Sequence, residues 1–144
     1  KVLIADVAEH RAEEAAKAAG AKKTVILKVA GAYHSPLMSS AADKLQALLA
    51  GVKFSNPEVP VLSNVTGMPH ESAATIADTM VKQVVSSVKW LSCVEWMKNN
   101  GTASYLEMGP GRVLSGLIKR IDSSAEVNNI QDVPSLQKTC EVLR

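Results

Sequence analysis

With 144 residues, of which 47% are hydrophobic, the chain is long enough to bury one sizeable core. A formal net charge of +2 and an aromatic content of 3% argue against a nucleic-acid partner, because few rings are available to stack on bases. The sequence has no apolar run near the roughly 18 residues that a membrane span needs, and neither cysteine has the spacing of a zinc site or a disulfide framework.

The first elements in chain order form a β-α-β pattern. Residues 1–5 and 24–29 are rich in aliphatic side chains and are predicted to be strands. Between them, the alanine-rich segment 7–19 is predicted to be a helix that ends at Gly20. The chain starts without methionine and with a segment typical of an interior strand, so we expect it to begin inside a longer protein.

A histidine follows the second predicted strand, at a junction with a helix. Apolar residues recur at helical spacing after it and stop at Gly51. Ser35 is a suitable N-cap, and Pro36 suits the first helical turn. An imidazole beside the positive end of a helix is biased toward its neutral form, which can accept a proton. His34 is therefore a candidate general base, although a histidine before a helix is also common as a surface or capping residue.

Helices and strands continue to alternate along the rest of the chain. The predicted elements are a loop at 54–60 leading into a strand near Val61, helices at 75–85 and 88–99, a buried strand at 104–108, a tight turn at 109–111 and a helix at 113–121. Trp90, Val94 and Met97 form an apolar stripe that is predicted to pack in the core, and Cys93 is predicted to be a small buried thiol. The glycine-rich turn fits neither the dinucleotide fingerprint nor the Walker motif, so we interpret it as structural.

Four segments together resemble a known family. They are residues 31–38 (GAYHSPLM), 60–67 (PVLSNVTG), 81–90 (VKQVVSSVKW) and 107–121 (EMGPGRVLSGLIKRI). In this order and at these intervals they resemble the malonyl-CoA:acyl carrier protein transacylases of fatty-acid synthesis, over nearly the whole chain. The last segment is the most specific, because polyketide synthase acyltransferase domains look similar around the histidine but usually do not continue in this way.

The resemblance implies an α/β fold. Residues 31–144 would be the C-terminal part of the large α/β-hydrolase-like subdomain of the acyltransferase, and residues 1–30 the second half of a ferredoxin-like small subdomain. The serine nucleophile of the family lies on a Gly-x-Ser-x-Gly turn, and this chain contains no such motif. The nucleophile, the oxyanion-hole groups and the arginine for the malonyl carboxylate would therefore lie in the N-terminal part, and we expect this chain alone to be inactive.

The implied reaction moves a malonyl group from coenzyme A to the phosphopantetheine thiol of acyl carrier protein through a serine ester. His34 would act as the base in both halves of the reaction. Gln83 would accept a hydrogen bond from the ring through its side-chain carbonyl oxygen, in place of the usual carboxylate. From the residues alone, Gln83 is a helix glutamine of a kind that is usually solvated. The predicted catalytic residues are His34 and Gln83, with no cofactor and no metal.

The expected partners are malonyl-CoA, acyl carrier protein and the complementary N-terminal part of the same enzyme, with no nucleic acid and no membrane. Basic residues at 22–23, 28 and 119–120 would steer an acidic carrier protein, or else form a solvated fringe. We expect a soluble protein of the bacterial cytoplasm or of an organelle such as the plastid stroma or the mitochondrial matrix. Two alternatives stay open: a noncatalytic acyltransferase-like binding domain, and an acyltransferase fragment of a polyketide synthase.

Overall fold

The computed structural model describes residues 7–25 and 31–142. The chain divides into two compact units, Lys1–Val88 and Lys89–Arg144. The predicted strand at 1–5 and most of the predicted strand at 24–29 lie outside the described residues. The subdomain boundary predicted between residues 30 and 31 stays a prediction.

The first unit begins with helix α1, Val7–Ala18, at the place predicted. Gly20 follows it with a φ of +85°, a left-handed conformation that glycine adopts at little cost. The Ala21 amide donates to the Ala16 carbonyl at 2.9 Å and the Gly20 amide to the Lys17 carbonyl at 3.0 Å, which is the hydrogen-bond pattern of a Schellman C-cap. The helix end predicted from Gly20 is therefore confirmed.

A 3₁₀ turn, Pro36–Met38, leads directly into helix α2, Ser39–Leu49. The predicted helix is present, but its first turn is tighter than an α-helix, because the Met38 amide bonds back three residues to the Ser35 carbonyl at 3.0 Å. Helix α3, Ala73–Val85, packs against α2 and also contacts the 3₁₀ turn. This packing brings the start of the 3₁₀ turn near the end of α3.

The segment between α2 and α3 is irregular. Instead of the strand predicted near Val61, it contains one isolated antiparallel bridge between Leu62 and Pro69. The His70 amide donates to the Val61 carbonyl at 2.9 Å beside this bridge. Pro60 and Pro69 have no amide hydrogen to contribute to a ladder, which explains why the pairing does not extend into a strand.

The second unit is a β-α-β unit flanked by helices. Its elements are α4, Trp90–Asn99; β1, Ser104–Met108; α5, Val113–Ile121; β2, Glu126–Ile130; and α6, Val133–Val142. Strands β1 and β2 pair in parallel, and α5 forms the crossover between them. The predictions of α4, β1 and α5 are confirmed, although α4 starts at Trp90 rather than at residue 88. The sequence patterns do not predict β2 or α6.

The core of this unit lies between the strands and the helices α4 and α5. Its buried members are Val94, Tyr105, Ile118 and Ala125, and the partly buried residues packed against them are Trp90, Met97, Ile121 and Val127. The apolar stripe of α4 is therefore confirmed as core. The opposite side of β1 is open, since Leu106 is 41% and Met108 76% exposed. The prediction of a buried strand at 104–108 is thus correct for one face of β1 only.

The described residues form a mixed α/β structure with six α-helices and a two-stranded parallel sheet, so the α/β class is confirmed at this level. Within the described part of the chain, no helix combines the length and the apolar character needed to cross a bilayer.

Candidate active site

His34 has an unusual backbone conformation just before the 3₁₀ turn. Its φ is +59°, and it is the only non-glycine residue with a positive φ in the described ranges 7–25 and 31–142. The left-handed region is unfavourable by about 1–2 kcal/mol for a residue with a Cβ atom. Strained backbone of this kind is concentrated at functional sites, and the His34 side chain is exposed.

Ser35, the next residue, caps the 3₁₀ turn as predicted. Its hydroxyl accepts a hydrogen bond from the Leu37 amide at 3.3 Å and donates one to the Ala32 carbonyl at 2.7 Å. The residue is only 8% exposed. One hydroxyl therefore satisfies a main-chain group on each side of His34.

The imidazole of His34 contacts Gln83, which lies 49 residues further along the chain. Nδ1 of the ring is 3.0 Å from the main-chain carbonyl oxygen of Gln83 and 3.2 Å from its side-chain amide nitrogen. Gln83 belongs to the last turn of α3, where carbonyl groups have no partner within the helix, and its carbonyl also receives the Ser86 amide at 3.4 Å. The structure thus brings together the two residues predicted to form the site, while their catalytic roles stay predictions.

The hydrogen-bond acceptor differs from the one expected. The side-chain oxygen of Gln83 is the predicted acceptor, whereas the oxygen in contact with Nδ1 of His34 belongs to the main chain. A carbonyl oxygen can only accept, so this hydrogen bond requires the proton of a neutral ring to be on Nδ1, which leaves the lone pair on Nε2. The Gln83 amide can support the same tautomer only by turning its oxygen toward the ring, since an N–H group cannot donate to a protonated nitrogen.

Glu107, on β1, occupies the N-terminal end of α5. Its carboxylate accepts hydrogen bonds from the Leu114 amide at 3.1 Å, from the Ser115 amide at 2.9 Å and from the Ser115 hydroxyl. These hydrogen bonds, those of Ser115 above all, hold the pKa of Glu107 below its usual 4.5. The helix end that would attract a phosphate is thus already filled by a carboxylate of the chain itself, which supports the structural interpretation of the turn at 109–111.

Two side chains at the end of β2 hold that turn in place. Asn129 Nδ2 donates to the Gly111 carbonyl at 2.9 Å and to the Glu107 carbonyl at 3.2 Å. The Gln131 side-chain oxygen accepts a hydrogen bond from the Gly111 amide at 3.2 Å. Gly109 has a φ of +139° and Gly111 of +86°, which residues with a Cβ atom rarely adopt. No role is predicted from the sequence for Glu107, Asn129 or Gln131. Glu107 appears there only as the first residue of the segment 107–121, and β2, which positions the other two, is not predicted.

Cys93 is 3% exposed, and burial raises the pKa of its thiol. A buried thiol of raised pKa forms little thiolate, the reactive form of cysteine. Cys93 is therefore confirmed as a small core residue, and its setting does not suit a nucleophile.

No protein-family model matches this chain. Curated proteins do match. The malonyl CoA-acyl carrier protein transacylase of Salmonella typhimurium is 41% identical over 138 residues, which cover 94% of this chain and 45% of that protein. The enzyme of the same name from Bacillus subtilis is 32% identical over 133 residues, which cover 92% of this chain and 42% of that protein. The chain therefore spans about half the length of the curated relatives it matches.

The solved structures that superpose on this chain carry names of the same kind as the curated relatives. A malonyl-transacylase in complex with its type II polyketide synthase acyl carrier protein superposes with a TM-score of 0.88 at 40% identity, over 95% of this chain and 44% of that one. The malonyl CoA-acyl carrier protein transacylase of Clostridium perfringens superposes with a TM-score of 0.89 at 32% identity, over 96% of this chain and 43% of that one. The predicted resemblance is thereby confirmed: over nearly its whole length, the chain is similar to slightly less than half of the malonyl-CoA:acyl carrier protein transacylases.

Proposed function

We propose that the chain is the C-terminal part of an enzyme that moves a malonyl group from coenzyme A to the phosphopantetheine thiol of acyl carrier protein, for fatty-acid synthesis. The observation that carries the proposal is the 3.0 Å contact between Nδ1 of His34 and the main-chain oxygen of Gln83. A base in acyl transfer needs a partner that fixes its tautomer and orientation, and a carbonyl oxygen provides this without a carboxylate. Relatives with the corresponding name are 41% and 32% identical to the chain.

In the proposed mechanism, Nε2 of His34 takes the proton of a serine hydroxyl while the serine oxygen attacks the malonyl thioester. The bond between the carbonyl carbon and the sulfur of coenzyme A breaks, and the leaving thiolate receives that proton from Nε2. In the second half, Nε2 takes the proton of the carrier thiol, the sulfur attacks the serine ester, and the proton returns to the serine oxygen. Each half thus leaves the ring neutral, and neither requires a metal or a redox cofactor.

The serine must come from outside these 144 residues, because the chain has no Gly-x-Ser-x-Gly motif. We place it in the N-terminal part of the enzyme, with the oxyanion-hole groups and an arginine for the malonyl carboxylate. The open face of β1 supports a covering segment of this kind, since Leu106 and Met108 are exposed whereas parallel sheets are normally covered on both faces. The chain alone would therefore be inactive.

The finer fold and the partners follow from the same proposal. Residues 31–144 would complete an α/β-hydrolase-like subdomain and residues 1–30 a ferredoxin-like one. Lys22, Lys23, Lys119 and Arg120 are exposed, as long-range attraction of an acidic carrier protein requires, and Lys28 lies outside the described residues. The reaction would take place in the bacterial cytoplasm or in an organelle such as the plastid stroma or the mitochondrial matrix.

The test is a transacylation assay with malonyl-CoA and acyl carrier protein. It compares the chain alone, the chain joined to the N-terminal segment of a transacylase, and variants of the joined protein. We expect activity only in the joined protein, and a loss of roughly 100- to 10,000-fold in kcat for His34→Ala, the usual contribution of a general base. His70→Ala is the matched control, because it removes the histidine of the segment between α2 and α3 and should leave kcat within about twofold.

Gln83→Ala tests which oxygen of Gln83 the His34 ring needs as its hydrogen-bond acceptor. Since the acceptor is a main-chain atom, this variant keeps the oxygen and should retain kcat within about tenfold of the parent. Activity of the isolated chain, or an active His34→Ala protein, would contradict the mechanism. A joined protein that is well folded, inactive and still able to bind carrier protein would favour the noncatalytic binding domain instead.

A further inference from the structure

The left-handed backbone of His34 needs interactions that hold it. Relaxing its φ from +59° to the right-handed region would rotate the Cβ atom about the N–Cα bond by about 120°. Such a rotation moves the imidazole by several times the few tenths of an ångström that a hydrogen bond tolerates. The contact between Nδ1 and the Gln83 carbonyl therefore depends on the backbone conformation of His34 as much as on the side chain.

The Ser35 hydroxyl is placed to supply that support. It donates to the Ala32 carbonyl at 2.7 Å, before His34, and accepts from the Leu37 amide at 3.3 Å, after it. Removal of the hydroxyl would take this partner from both main-chain groups, and the turn would relax to regain hydrogen bonds. The hydroxyl thus links the two sides of the strained residue.

We propose that Ser35 is a positioning residue for the reaction: its hydroxyl holds His34 in the left-handed conformation, and this conformation keeps the ring in the tautomer with the proton on Nδ1 and the lone pair on Nε2. Ser35 acts through His34 and touches no substrate. The inference rests on the proposed role of His34 as the base, but the geometry of the ring can be measured without any substrate.

The experiment is NMR spectroscopy of the 144-residue chain labelled with ¹⁵N. Long-range ¹H–¹⁵N correlations report which imidazole nitrogen carries the proton, and His34→Ala assigns the signals of His34 by their absence. Spectra are recorded at about pH 8, above the usual histidine pKa, where neutral rings dominate. The variants are Ser35→Ala, Ser35→Gly and Ser35→Thr, with Ser40→Ala as the matched control, because Ser40 is an exposed serine in the first turn of α2.

We expect the parent ring to be mainly in the Nδ1–H form, and the ratio of Nδ1–H to Nε2–H to fall roughly fivefold in Ser35→Ala, in line with the net strength of one hydrogen bond. Ser35→Thr keeps a hydroxyl and should stay within about twofold of the parent, as should Ser40→Ala. Ser35→Gly removes the hydroxyl but preserves the cap better than alanine does, so it decides the question if Ser35→Ala does not fold.

A parent ring in the Nε2–H form, or an unchanged ratio in a folded Ser35→Ala or Ser35→Gly chain, would overturn the proposal. So would an equal fall in Ser40→Ala, because the effect would then not belong to the Ser35 hydroxyl. A failed transacylation assay would leave these spectra unaffected, so the two proposals fail separately.

Discussion

The backbone of His34 offers a direct test of the structure, by comparing glycine with alanine at this position. Both substitutions remove the imidazole and its contact with Gln83, so the difference between them isolates the backbone. At a φ of +59°, alanine carries the left-handed penalty of about 1–2 kcal/mol, which glycine avoids. Glycine loses about 0.4–1 kcal/mol through the greater entropy of the unfolded chain. We therefore expect His34→Gly to be more stable than His34→Ala by about 0.5–1 kcal/mol.

The measurement is equilibrium urea unfolding of the full chain, followed by circular dichroism, with the free energy of unfolding taken by linear extrapolation. The same pair of substitutions at Gln46 provides the matched control. Gln46 is exposed within α2, three residues before its end, where glycine should be less stable than alanine by about 0.5–1 kcal/mol. At position 34 the glycine variant is thus expected to be the more stable of the two, and at position 46 the alanine variant.

A free energy of unfolding for His34→Ala equal to or above that of His34→Gly would refute the reasoning. The left-handed conformation would then be absent in solution, and with it the basis for assigning a positioning role to Ser35. At position 46, a higher free energy of unfolding for alanine than for glycine would show that the assay resolves differences of this size.

Three further results are expected from the second unit. Val94→Ala should lower the free energy of unfolding by about 2 kcal/mol, since it deletes two fully buried carbon groups at about 0.8 kcal/mol each and leaves a small cavity. A loss below about 0.5 kcal/mol in urea unfolding would argue against the assigned core. The pKa of Glu107 is lowered in the folded chain, so its carboxylate stabilises the fold above the ordinary pKa of 4.5, and this stabilisation is lost as the pH falls through the lowered pKa. Glu107→Gln should therefore reduce the decrease of the urea midpoint in acid. Parallel curves of urea midpoint against pH for variant and parent would contradict this. The exposed Cys140 should react with a thiol reagent long before the buried Cys93, so a Cys140→Ser chain whose remaining thiol reacts as fast as Cys140 would contradict the burial of Cys93.

The helices of this chain are predictable where periodic apolar residues end at a glycine. Helix α1 ends before Gly20, and α4 ends before Gly101, whose φ is +86°. Strand β2 is not predictable in this way, because Asn128 and Asn129 occupy its centre and asparagine is depleted in strands. It forms through pairing with β1 and packing against α5 and α6, and such tertiary contacts are invisible to a local pattern. The strand expected near Val61 is reduced to a single bridge between Leu62 and Pro69, because Pro60 and Pro69 have no amide hydrogen with which to extend the pairing.

The residues of the candidate site differ in how far the local sequence predicts them. His34 could be proposed from its position before a helix, and Ser35 and Pro36 from the rules of helix capping. Gln83 could be proposed only from resemblance to a family, because the atom that contacts the ring is a carbonyl oxygen that every residue type possesses. What selects position 83 is its place in the last turn of α3, where a carbonyl lacks a helical partner and can accept a proton donor from outside.

The His34 ring is oriented by a main-chain carbonyl and not by a carboxylate. A carboxylate beside a histidine brings its own charge and needs its own solvation or hydrogen bonds, whereas the carbonyl of Gln83 is held rigidly by the helix that ends there. Among the described residues, no ion pair joins the His34 ring to a carboxylate, so the orientation of the ring depends on its own backbone. That requirement explains why the strained φ of +59° and the buried Ser35 occur at and beside His34, whose ring meets the end of α3. The precision of the base therefore depends on main-chain geometry on both sides of the contact, at the turn before α2 and at the end of α3.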